Sequence, residues 1–170
     1  MEPKAIVIYD PDCGFCRLTL ALLLSWDWGP AAERADVAGE RPGGTERGRP
    51  SPPQLPVRWG RSAAPAALRP LPLGTPEADR LLADLSLAQR AASWHLVLDD
   101  GARTSAGAAL APALRLLPGG GIPAALFARF PRTAERGYRW VADHRGLLGR
   151  FVPSRARRWA DRVIVAHGGP

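Results

Sequence analysis

The chain has 170 residues, 46% of them apolar, which suits one domain with one core, and a net charge of +7. No apolar run is long enough for a bilayer-spanning helix. The first strand begins almost at once, with none of the order of a signal peptide, so a cytoplasmic protein is expected. The charge sits at one end: residues 129–170 carry ten arginines against Glu135, Asp143 and Asp161, and the rest is balanced. Lysine occurs once, at Lys4, and the chain is heavy in Arg, Ala, Gly and Pro. That bias reads as a solvated basic face and argues against nucleic acid as the partner.

The apolar run Ala5-Ile6-Val7-Ile8-Tyr9 predicts a strand, and Asp10-Pro11-Asp12-Cys13-Gly14-Phe15-Cys16 follows it directly with the only two cysteines. Cysteines at i and i+3 at the start of a helix share a face, so their sulfurs can meet with little backbone movement. The first then lies at the helix N-terminus, where unpaired N–H groups and the macrodipole favour its thiolate. A c-type haem site needs His after the second cysteine, and Arg17 stands there. A structural zinc site needs four ligands, whereas no histidine precedes His95. A redox dithiol is the leading reading, beside half of an intermolecular metal site and an incidental buried pair. No cofactor and no intramolecular metal are expected.

Thr19–Trp28 predicts an apolar helix stopped by Gly29-Pro30. Residues 30–65 read as a Pro/Gly-rich insert, apolar only locally at Val57 and Trp59, which cannot bury enough surface to offset chain entropy. Ala67–Leu73 resumes order, and Pro70 and Pro72 restrict it to a sheet edge. Thr75-Pro76-Glu77 starts a helix with Ala78, Leu81, Leu82, Leu85 and Ala88 on one face. Trp94–Leu98, the turn Asp99-Asp100-Gly101 and Ala102–Thr104 form a hairpin. Ser105 caps a helix carrying Leu110, Ala113, Leu114 and Leu117, kinked at Pro112 and ended by Pro118 and the glycines 119–121. Helices follow around 123–130 and 131–145. The domain is taken as 1–150, with 151–170 a basic C-terminal tail.

Strand, dithiol helix, edge strand, helix, hairpin and helix make an α/β order: a parallel βαβ unit, then a β-hairpin and a helix. This is the minimal thioredoxin-like fold, here with extra C-terminal helices. Tyr9-Asp10-Pro11-Asp12-Cys13-Gly14-Phe15-Cys16 resembles the signature of the DCC family of thiol-disulfide oxidoreductases, with Pro11 where the family usually has glycine. The resemblance continues in Leu96-Val97-Leu98-Asp99-Asp100-Gly101, in Thr104-Ser105 and in Tyr138-Arg139-Trp140-Val141-Ala142.

The resemblance and the motif together imply thiolate–disulfide exchange. Cys13 attacks a substrate disulfide and Cys16 resolves the mixed disulfide. Gly14 allows close approach of substrate and Phe15 offers an apolar surface. Asp10 and Asp12 oppose the helix dipole, or one of them relays a proton to Cys16. Ser93 brings a hydroxyl near the dithiol if Trp94 starts the neighbouring strand. His95, alternating with apolar residues, reads as a packed or surface histidine. The expected partners are a disulfide-containing protein or small-molecule thiol, together with a reductant the sequence does not identify. The alternative is a non-enzymatic thioredoxin-like binding or redox-sensing module acting through its basic C-terminal region.

Overall fold

The computed structural model describes residues 3–38 and 66–170, with the backbone alone over 28–38. The elements are β1 (Ala5–Tyr9), α1 (Gly14–Ala38), β2 (Leu68–Pro72), α2 (Pro76–Leu81), α3 (Leu87–Ala92), β3 (His95–Leu98), β4 (Arg103–Ser105), a 3-10 turn (Ala106–Ala109), α4 (Leu110–Leu116), α5 (Gly121–Arg129), α6 (Pro131–Arg150) and α7 (Ser154–Ala166). The four strands form one mixed sheet in the order β2-β1-β3-β4. β1 runs parallel to β2, with Val7 opposite Pro70, and antiparallel to β3, with Val7 opposite Leu96. β3 and β4 are antiparallel, Leu96 facing Thr104.

β1 is a continuous apolar run because both faces of the sheet are covered. Ala5, Val7 and Tyr9 point into the main core with Leu20, Ala21 and Leu24 of α1, Leu114 of α4, Ala124 of α5 and Ile164 of α7. Ile8 points the other way, into a smaller core with Leu71, Val97, and Ala78 and Leu82 from α2 and the turn after it. No helix among the described residues is long and apolar enough to cross a membrane.

The proline-bearing strand does lie at the edge, and the pattern of its hydrogen bonds explains how. Ala5 N–H donates to Ala67 O (3.0 Å) and Leu73 N–H to Tyr9 O (2.9 Å). With that phase, the nitrogens of positions 69, 71 and 73 face β1, and those of 68, 70 and 72 face outward. Pro70 and Pro72 have no N–H to expose, and Leu68 N–H donates to Asp27 Oδ2 of α1 at 2.9 Å. The outer edge of β2 therefore offers no free donor to another strand. Burial raises the Asp27 carboxyl above its usual range, partly offset by the Leu68 N–H.

Several local expectations change. α1 runs through Gly29-Pro30 to Ala38 instead of stopping there. Pro30 removes one backbone donor from the helix, and the segment 31–38 that continues it is rich in Ala, a strong helix former. Of the stretch expected as an insert, 30–38 belongs to α1, and residues 39–65, with Val57 and Trp59, lie outside the described residues. The helix starting at Thr75 is two helices. Thr75 accepts the Ala78 N–H as expected, but Ser86 and Gln89 exchange reciprocal hydrogen bonds as a capping box that restarts the chain as α3. This leaves Ala88 exposed.

The hairpin turns where expected, with Gly101 at φ +80°, a conformation that favours glycine. Ser105 makes no side-chain cap. Its hydroxyl instead lies 2.6 Å from Nδ1 of the buried His95, whose Nε2 lies 3.1 Å from Arg90 O. A carbonyl only accepts, so Nε2 carries the proton and Nδ1 accepts from Ser105. Burial lowers the His95 pKa, in keeping with a neutral, packed ring. Pro112 falls in the first turn of α4, where no helical N–H is lost, and a 3-10 turn precedes the helix directly. At Gly107 a Cβ would come within 2.7 Å of the Glu135 backbone, so glycine permits the close approach of α6.

The basic C-terminal tail expected over 151–170 is largely α7, a helix packed along α1. Ala160, Val163 and Ile164 belong to the main core, and Asp161 pairs with Arg17 of α1. Its apolar stripe is hidden in the sequence among the exposed Arg155, Arg157, Arg158 and Arg162.

Candidate active site at the Cys13–Cys16 disulfide

β1 ends at Tyr9 and α1 begins at Gly14, so the intervening residues deliver Cys13 to the helix start. Asp10 shapes this approach: its Oδ1 accepts the Asp12 N–H at 3.0 Å, the short side-chain turn typical of aspartate. Cys13 O then accepts the first helical bond, from Arg17 N–H (3.0 Å), and Cys13 Sγ accepts from Cys16 N–H (3.2 Å). A residue whose carbonyl opens the ladder and whose side chain accepts from the third N–H is the N-cap. Cys13 holds that place with sulfur. Cys13 and Cys16 form a disulfide, with Cα atoms 5.2 Å apart. Both residues are half-buried.

The two cysteines face different surroundings. Cys16 lines a cavity of about 880 Å³ walled by α1, α4, α5 and α6, with Phe15, Leu20, Trp94, Leu114 and Phe127 among its apolar sides. Cys13 lines a cleft of about 460 Å³ against the C-terminal end of α6 and the start of α7. Four guanidinium groups, Arg17, Arg145, Arg150 and Arg157, share that cleft with Asp10, Asp12 and Asp161. Asp10 borders both spaces, and its Oδ2 lies 3.8 Å from Arg145.

The residues singled out by sequence line the two spaces that border the dithiol. Gly14 opens α1 in the polar cleft, and a Cβ there would lie in ordinary contact, 3.7 Å from Arg157 Nε, which places that guanidinium beside the helix start. Phe15 turns to the apolar side, and the exposed Asp12 lines only the Cys13 cleft. Ser93 lines the same cavity as Cys16, although β3 begins at His95, beyond Trp94. Trp94 N–H donates to the Tyr138 hydroxyl at 3.2 Å, and burial raises the Tyr138 pKa. Comparisons with models of known protein families, with curated proteins and with solved structures find no match.

Arg145, Arg150, Arg157 and Tyr138 were not foreseen as neighbours of the dithiol. The signal for the arginines was the charge of 129–170, read as a solvated face because nothing in the spacing showed that α6 and α7 fold back over residue 14. Tyr138 lies within the Tyr138–Ala142 segment of the family resemblance, without a role attached to it. Among the described residues, no group of three or more His, Cys, Asp or Glu side chains could hold a metal ion.

Proposed function

We propose that the protein is a thiol–disulfide oxidoreductase of the DCC family with a thioredoxin-like fold, in which Cys13 attacks and Cys16 resolves. One observation carries the reading: Cys13 Sγ accepts the Cys16 N–H at the N-cap of α1. An N–H donated to a thiolate is a charge-assisted bond, stronger than the same bond to a neutral thiol, and the positive end of the helix acts in the same direction. The order β2-β1-β3-β4, with the dithiol after β1 and a hairpin leading to α4, supports the fold assignment. In a reducing compartment such as the cytoplasm the pair rests mostly as the dithiol.

The cycle balances without a cofactor. The Cys13 thiolate attacks one sulfur of a substrate disulfide; the substrate S–S bond breaks as a mixed disulfide forms, and one substrate thiolate leaves and takes up a proton. The Cys16 thiol loses its proton and attacks Cys13 Sγ, closing the intramolecular disulfide and releasing the second substrate thiol. Asp10 shares a cavity with Cys16 and Asp12 does not, so Asp10 is the carboxylate suited to relay that proton. An external dithiol restores the pair.

The test is turnover. At catalytic concentration, with dithiothreitol as reductant, the protein should accelerate reduction of hydroxyethyl disulfide over the uncatalysed rate, and Cys13→Ser should remove the acceleration. Stoichiometric oxidation with no turnover would instead support a redox-sensing module.

A further inference from the structure

The cleft beside Cys13 carries an imbalance that points to the substrate. Of its four guanidinium groups, Arg17 is paired with Asp161. Arg145 lies 3.8 Å from Asp10 and donates to Ala91 O at 3.2 Å. Arg150 and Arg157 have no carboxylate partner among the described residues, and the remaining carboxylate of the cleft, Asp12, is exposed. Arg157 is held by one N–H donated to Gly149 O at 2.8 Å, which fixes the guanidinium beside Gly14 and leaves its other donors available.

A disulfide attacked by Cys13 meets it in this cleft, which Cys13 lines, whereas the apolar cavity is lined by Cys16. Carboxylates a few bonds from the reacting sulfur then come within reach of two guanidinium groups that are otherwise unpaired, and the N-terminal end of α1 adds positive potential. At about 460 Å³ the cleft has the size of a small-molecule site, roughly 300–1,000 Å³ for ligand pockets generally. We propose that the disulfide exchanged at Cys13 is a low-molecular-weight, carboxylate-bearing disulfide, recognised through its carboxylates by Arg150 and Arg157. The inference rests on the redox reading above and names its substrate class. One disulfide and the two protein thiols yield two substrate thiols and the Cys13–Cys16 disulfide, with both protons carried to product.

The experiment is a single-turnover oxidation of the reduced full chain, quenched by alkylation, with three probes of different charge: glutathione disulfide (anionic), hydroxyethyl disulfide (neutral) and cystamine (cationic). The rate with glutathione disulfide, divided by that with hydroxyethyl disulfide, should fall roughly tenfold in the double variant R150Q/R157Q, the size of one or two charge-assisted contacts. The cystamine ratio should rise. Raising ionic strength should reduce the glutathione ratio in the parent chain and hardly alter it in the double variant. A change in Cys13 reactivity alone cancels in the ratios, so ratios unmoved by the substitutions overturn the proposal while leaving the redox reading intact. A disulfide-linked acidic polypeptide outpacing glutathione disulfide by tenfold or more also overturns it, in favour of a protein substrate. If none of the three probes oxidises the reduced parent, the redox reading itself fails.

Discussion

Cys16→Ser should accumulate a covalent adduct with a substrate disulfide that dithiothreitol releases, and Cys13→Ser should form none. The asymmetry follows from the start of α1. Cys13 is the N-cap, its Sγ accepting the Cys16 N–H at 3.2 Å, and it opens into the charged cleft. Cys16 lies inside the first turn and faces the apolar cavity. A thiolate is favoured by the donated N–H and the helix dipole and disfavoured by apolar surroundings, so at neutral pH the first sulfur should be the nucleophile. Asp10 and Asp12 act against this by adding negative charge nearby, whereas Arg157 beside Gly14 acts for it. The pH dependence of iodoacetamide alkylation in the two single variants checks the balance. If the thiol left in Cys13→Ser reacts faster at neutral pH than the one left in Cys16→Ser, the roles are reversed.

Ile164→Ala should destabilise the protein by about 2–5 kcal/mol, the usual cost of removing a buried large aliphatic side chain and leaving a cavity. Ile164 is 2% exposed and packs in the main core with residues of α1 and the sheet. Set against the roughly 5–15 kcal/mol that holds a typical domain together, this is a large fraction, visible as a lower denaturant midpoint. Were 151–170 an appended tail, the substitution would stay within about 0.5 kcal/mol, as surface changes do. Arg158→Ala, on the exposed face of the same helix, is the matched control.

What could be read in the sequence was mostly local. Thr75 capping α2, Gly101 at the hairpin turn and the dithiol at the start of α1 each depend on a few neighbouring residues. Pro70 and Pro72 announced an edge because a missing N–H has one tolerable place in a sheet. Sequence did not give the partners of the outward positions: that Asp27, forty-one residues earlier, takes the Leu68 N–H is a tertiary fact. Ser105 shows the same competition. Its hydroxyl suits a cap, but the nearby imidazole of His95 takes it. Pro30 failed as a stop because the residues after it favour helix. The site was half legible: the residues flanking the cysteines were visible, whereas the arginines that close the Cys13 cleft come from α6 and α7, more than a hundred residues away.

Redox titration decides whether Cys13 and Cys16 form a reversible two-electron couple. The protein is equilibrated in dithiothreitol buffers of graded poise, and free thiols are counted by alkylation and mass spectrometry. One two-electron transition is expected, with Cys13 and Cys16 changing together, an oxidised monomer two hydrogens lighter than the reduced one, and full recovery on reduction. Oxidation that yields only intermolecular dimers, or two cysteines that titrate separately, would contradict it.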